Sequence, residues 1–70
     1  MTVAERLADG MPPLRAGELA RIIGWSYPVI RKLMDAGIIA WVVLVEGGER
    51  RVPVRVAREL AERVGVLQAA

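Results

Sequence analysis

Three residues, Gly24-Trp25-Ser26, separate two segments of helical periodicity, and this spacing limits the fold more than any other feature of the chain. Before the break, Ala16, Leu19, Ala20, Ile22 and Ile23 form an apolar stripe at helical spacing; after it, Ile30, Leu33 and Met34 do the same. The first segment is predicted helical over 16–23, with Glu18 at the positive end of its dipole, and the second over 26–36, with Gly37 as its stop. Gly24 takes the left-handed conformation of a tight turn at little cost, and Ser26 is a side chain that caps helix starts. Pro28 is tolerated in a first turn, where its missing N–H has no helical partner, although it pushes Tyr27 away from helical angles. Helices joined by so short a turn cross steeply and bury their facing stripes, which is the helix-turn-helix arrangement. Trp25 is expected to plug the angle between them.

The flanking segments extend this frame. Thr2 and Glu5 have the spacing of a capping box and open a short helix within 2–9, with Val3 and Leu7 on one face; Gly10 and Pro12-Pro13 end it. So short a helix is not stable alone and must pack on the rest. Ile38 to Val45 is rich in β-branched residues, and Arg50 to Val54 follows after Glu46-Gly47-Gly48-Glu49. A Gly-Gly pair between two such runs predicts a hairpin over 41–53. A two-residue turn at Gly47-Gly48 sets Val43 opposite Val52 and Trp41 opposite Val54 on the core face, with Val42 and Leu44 on the other face beside Arg51. A last helix over 54–64 carries Val56, Leu60 and Val64, with Ala57 and Ala61 alongside and a favourable Glu59–Arg63 pair. Gly65 closes it, and 66–70 is a tail. The expected class is one mainly α domain over 1–70 with a small β-hairpin.

Composition removes several kinds of chemistry. A chain of 70 residues buries only about 60% of its unfolded surface, so its core is thin. It holds no cysteine and no histidine, hence no disulfide, no thiolate-held metal and none of the commonest zinc ligand or general base. No acidic cluster has the spacing of a calcium loop, and no nucleophile–base pair is visible. The expectation is a protein with no cofactor and no metal that is not an enzyme. No run of about 18 apolar residues is present to span a membrane, and Thr2-Val3-Ala4-Glu5 lacks the layout of a signal peptide. With the absence of cysteine, this fits a cytoplasmic protein.

The net charge of +2 is uninformative in itself, but its distribution is not. From Arg31 to Arg58 six basic residues (Arg31, Lys32, Arg50, Arg51, Arg55, Arg58) face three acids (Asp35, Glu46, Glu49). Such a bias hints at a polyanionic partner; the plainer reading is a solvated surface of paired charges.

Leu14, Glu18, Ala20, Gly24, Trp25, Ser26, Ile30, Leu33, Gly37, Gly47, Gly48, Arg50, Arg51, Val52 and Pro53, in this order and spacing, resemble the excisionase-like and MerR-like winged helix-turn-helix family across about two thirds of the chain. The resemblance implies a winged helix that binds double-stranded DNA sequence-specifically, as a recombination directionality factor or a small transcription regulator. The helix over 26–36 would enter the major groove, and the hairpin would reach an adjacent groove or the backbone. Against the family's pattern, Tyr27, Pro28 and Val29 replace arginine, serine and threonine, Arg15 replaces a capping hydroxyl, and Glu46 and Glu49 flank the hairpin turn.

Candidate contacts follow, each with a structural alternative. With Ile30 inward, Pro28, Arg31, Lys32 and Asp35 point outward. Arg31 is the candidate for a guanine contact, or else pairs with Asp35. Lys32 and Tyr27 suit phosphates, or else Lys32 is solvated and Tyr27 packs on Met34. Arg50 and Arg51 suit phosphate or minor groove, or else pair with glutamates across the hairpin. Arg15, Ser26 and Arg55 stand at helix starts, where phosphate is favoured. Trp25 and Trp41 serve the core rather than base stacking. Val29, Val42, Leu44, Val66 and Leu67 exceed what one thin core buries, which points to a homodimer or a cooperative array on DNA; an integrase is a further candidate partner. The competing function is a protein-interaction module on the same scaffold with weak or no DNA binding.

Overall fold

A computed structural model describes residues 2–68, so Ala69 and Ala70 of the expected tail lie outside the described residues. The chain runs α1 (Val3–Arg6), β1 (Leu14–Arg15), α2 (Ala16–Ile23), α3 (Tyr27–Asp35), β2 (Val42–Val43), β3 (Arg50–Val52) and α4 (Val54–Val64). It is a small, mainly helical fold with a three-stranded antiparallel sheet in the order β1-β3-β2.

The helices form where the periodicity places them. α2 and α4 have the expected bounds, and α3 is shorter by one residue at each end. Gly24 ends α2 in the left-handed region at φ 83°, and its N–H donates to the Ala20 carbonyl at 2.8 Å. Tyr27 is the first helical residue of α3 although Pro28 follows it, because the first turn needs no N–H from the proline. α1 is a single turn. The Glu5 N–H donates to Thr2 Oγ1 at 3.1 Å, and the Thr2 N–H donates to Glu5 Oε1 at 3.2 Å. The Thr2 backbone, and then its hydroxyl, hold the Glu5 carboxyl below its ordinary pKa, so this cap persists into mildly acidic solution.

Leu7, Leu19, Ile30 and Val52 are the largest fully buried side chains, one each from the end of α1, α2, α3 and β3. Each contributes about 1.5–3 kcal/mol by burial. In α4 the residues at 0% exposure are Ala57 and Ala61, whereas Val56, Leu60 and Val64 are half-buried at the margin of the core. The small side chains face inward because α4 packs directly on α2, and alanine lets the two backbones approach.

The sheet departs from expectation in two ways. Leu14–Arg15 adds a third strand, with Leu14 opposite Val52 and Arg15 opposite Arg51. The hairpin register also shifts by two: Val43 faces Arg50 rather than Val52, and Arg51 lies opposite Val42 rather than Leu44. The turn is therefore not a two-residue Gly-Gly loop. The Gly48 N–H donates to the Val45 carbonyl at 2.9 Å, and Gly47 takes φ 75°, so Glu46-Gly47 are the central residues. A Cβ on Gly48 would lie 2.8 Å from Val45 Cγ2, so that position admits glycine alone without a shift. Pro53 is already the N-cap of α4, which leaves no strand position at Val54 for Trp41 to face.

Both tryptophans are more exposed than the sequence suggests. Trp25 is 38% exposed at the turn. Trp41 is 41% exposed and Val43 43%, so neither lies on a core face.

The α1 segment is fastened from a distance. Arg58 Nε and Nη2 donate to the Leu7 carbonyl at 3.0 and 2.6 Å, and Nη2 also reaches Asp9 Oδ1 at 2.9 Å. Arg58→Ala should lower stability by about 1–2 kcal/mol. Amide exchange over residues 3–7 should rise more than exchange in α2; uniform loss across both would show that Arg58 does not fasten α1 in particular.

Candidate nucleic-acid interface

A hollow of about 840 Å³ opens between the start of α2, one face of α3 and the stem of the hairpin. Arg15, Arg21, Arg31, Arg50 and Arg51 line it, with Glu18 and Glu49 as its acids. Three elements distant in sequence thus bring five arginines to one concavity.

Each position has a local cause. β1 ends and α2 begins at Arg15, whose N–H donates to Glu18 Oε1 at 3.1 Å. This bond occupies Glu18 with capping. An arginine side chain has no acceptor, so the reciprocal half of a capping box is not formed. The Arg15 side chain instead pairs with Glu49 at 3.4 Å; both are well exposed, so the pair adds little stability. Tyr27, at the start of α3, lies against Gly17 of α2: a Cβ on Gly17 would be 4.0 Å from Tyr27 Cδ1. One turn on, the Arg31 guanidinium sits over the Tyr27 ring, 5.8 Å from its centroid. Such stacking is worth about 0.5–1 kcal/mol at an exposed site and leaves the N–H edges free to donate. Tyr27 is therefore a platform for Arg31.

Arg50 has a different role. It donates to Asp35 Oδ1 at 2.6 Å, and its guanidinium lies 5.1 Å from the Trp41 ring centroid. Trp41 Nε1 donates to the Met34 carbonyl at 3.1 Å. These contacts clip both strands of the hairpin to the C-terminal end of α3. Asp35 is consequently engaged by Arg50, not by Arg31, and Arg50 pairs with an aspartate of α3, not with a glutamate across the hairpin.

The other candidates lie outside the hollow. Ser26 holds the N-cap position of α3, but its side chain makes no cap hydrogen bond. Pro28 and Lys32 are exposed on α3, and Arg55 is exposed in the first turn of α4; none of these lines the concavity. Among the described residues Arg21, Arg31 and Arg51 make no ion pair. Arg21 was not singled out from the sequence. Its signal was available: with Leu19, Ile22 and Ile23 inward, Gly17 and Arg21 share the opposite side of α2, one turn apart.

Among the described residues no three acidic side chains come together as a metal-holding group. Among the described residues no helix is long and apolar enough to cross a membrane. The chain matches no family model, no curated protein and no solved structure.

If the clip positions the hairpin, its members should differ in weight. Asp35→Ala removes an exposed ion-pair partner and should cost under about 1 kcal/mol. Trp41→Ala removes a ring, a stacked cation and a hydrogen bond, and should cost about 2 kcal/mol. Urea unfolding of both variants measures this order, and equal costs would contradict it.

Proposed function

We propose that the chain is a winged helix-turn-helix protein that binds double-stranded DNA, with α3 in the major groove and the β2–β3 hairpin as the wing on adjacent backbone. The observation that carries this reading is the shared hollow in which Arg31 of α3, Arg51 of the hairpin and Arg21 of α2 face one space without ion-pair partners among the described residues. Phosphates are recognised by such fixed, unpaired guanidinium groups. Arg31, propped on Tyr27, is the base-reading residue, suited to guanine O6 and N7. Arg15 and Arg51 hold the backbone, and Lys32 and Arg55 extend the cationic track on either side. Arg50 is spent on the clip and acts by positioning the hairpin. The output is recombination directionality or transcription regulation, with an integrase as partner in the first case.

A second reading is favoured by the exposed apolar hairpin: a protein-interaction module that has lost DNA affinity. Salt dependence separates the two. Three to five phosphate contacts should give a log–log slope of binding to random duplex against salt of roughly −3 to −4.5. Arg51→Ala should weaken all sequences alike and flatten this slope by about one, whereas Arg31→Ala should lower discrimination among sequences at a selected site. Flat or absent binding at low salt would favour the interaction module.

A further inference from the structure

We propose that the free edge of β2 is a self-association surface, on which a second copy of this chain lays its own β2 antiparallel across a two-fold axis, joining two three-stranded sheets into one. The strand order β1-β3-β2 leaves one side of β2 without strand partners among the described residues. An open edge of this kind is a template for another strand unless charge, proline or a covering element blunts it. The strand itself is short, Val42–Val43, but neither charge nor proline accompanies it. Ile38 to Val45 carries no charge, no proline and no glycine. Ile38 is 71% exposed, Leu44 59% and Val45 68%, and Val42 and Val43, which point to opposite faces, are both about two-fifths exposed.

The opposite edge differs. Pro12-Pro13 precede β1, and Arg15 on that strand pairs with Glu49. Charge and proline guard one edge of the sheet, and the other is left apolar.

The area suits a second copy. These residues carry roughly 500–600 Å² of accessible surface on one copy, divided between the two faces of the strand. Edge pairing covers only part of this surface, so two copies bury less than about 1,000 Å², as weak dimers do. An antiparallel edge is complementary to itself under two-fold symmetry, in hydrogen bonds and in apolar side chains alike. The strand offers no charge for an unlike, charged partner to recognise, and the Trp41 indole N–H is already engaged by the Met34 carbonyl. No residue of 38–45 lines the arginine hollow, so this interface stands independently of DNA binding there.

Sedimentation equilibrium from about 5 μM to 1 mM tests it, with an expected dimer dissociation constant of about 1–100 μM. Val42→Lys and Leu44→Lys should each raise that constant at least about tenfold while leaving the far-ultraviolet circular dichroism unchanged. Because a lysine can also disturb the hairpin itself, single-cysteine variants give a second readout in a chain with no native thiol. Val42→Cys or Val43→Cys should oxidise to a covalent dimer under conditions in which Arg63→Cys does not. A wild-type chain that stays monomeric to about 1 mM would overturn the proposal and leave an unlike partner as the occupant. A dimer that survives both lysine substitutions would overturn it by placing self-association on another face.

Discussion

Burial of one face of α2 is the constraint around which the molecule is arranged. In eight residues this helix buries Leu19, Ala20, Ile22 and Ile23, and it packs against α3, α4, β1 and β3. A chain with no disulfide and a thin core has little else to hold its elements in register. α4 can reach α2 because it presents Ala57 and Ala61, and α3 reaches it through Ile30. The turn at Gly24 then fixes where α3 leaves, and so which side of α3 faces solvent.

The cationic hollow follows from that frame with one further device. The hairpin would be a loose ribbon if only its short strands held it. The Trp41–Met34 hydrogen bond and the Arg50–Asp35 pair dock it on the end of α3. One arginine of the Arg50-Arg51 pair is thereby used for construction, and its neighbour is carried to the rim of the hollow. Adjacent strand residues point to opposite faces, so Arg50 reaches Trp41 and Asp35, while Arg51 borders both this hollow and a second one beside Pro12-Pro13. The stacking of Arg31 on Tyr27 is the corresponding arrangement on the helix, using the i,i+4 spacing.

Much of the fold was legible in the sequence, because helical periodicity and glycine stops act locally. The bounds of α2 and α4 and the Thr2–Glu5 capping box belong to this class. What was not legible depends on non-local pairing. Leu14–Arg15 is too short to carry an alternating pattern, and it becomes a strand only because β3 lies beside it. The hairpin register turns on which glycine adopts positive φ and on Pro53 starting α4, neither of which the Gly-Gly signal encodes. For the site, the sequence singled out Arg15, Tyr27, Arg31, Arg50 and Arg51, which the fold brings together. It did not reveal that Arg50 is engaged by Asp35 and Trp41, since those partners come from separate elements, and it passed over Arg21, which sits on a helix read only for its apolar stripe.

The central claim is that the surface shared by α2, α3 and β3 is where duplex DNA sits. Nuclear magnetic resonance titration of the isotopically labelled chain with a short duplex tests it most directly. The account predicts that the largest shifts fall on the backbone amides of 15–21, 27–32 and 50–51, and on the Nε–H resonances of Arg21, Arg31 and Arg51. Shifts confined to residues 38–48, or no shifts at low salt, would contradict it.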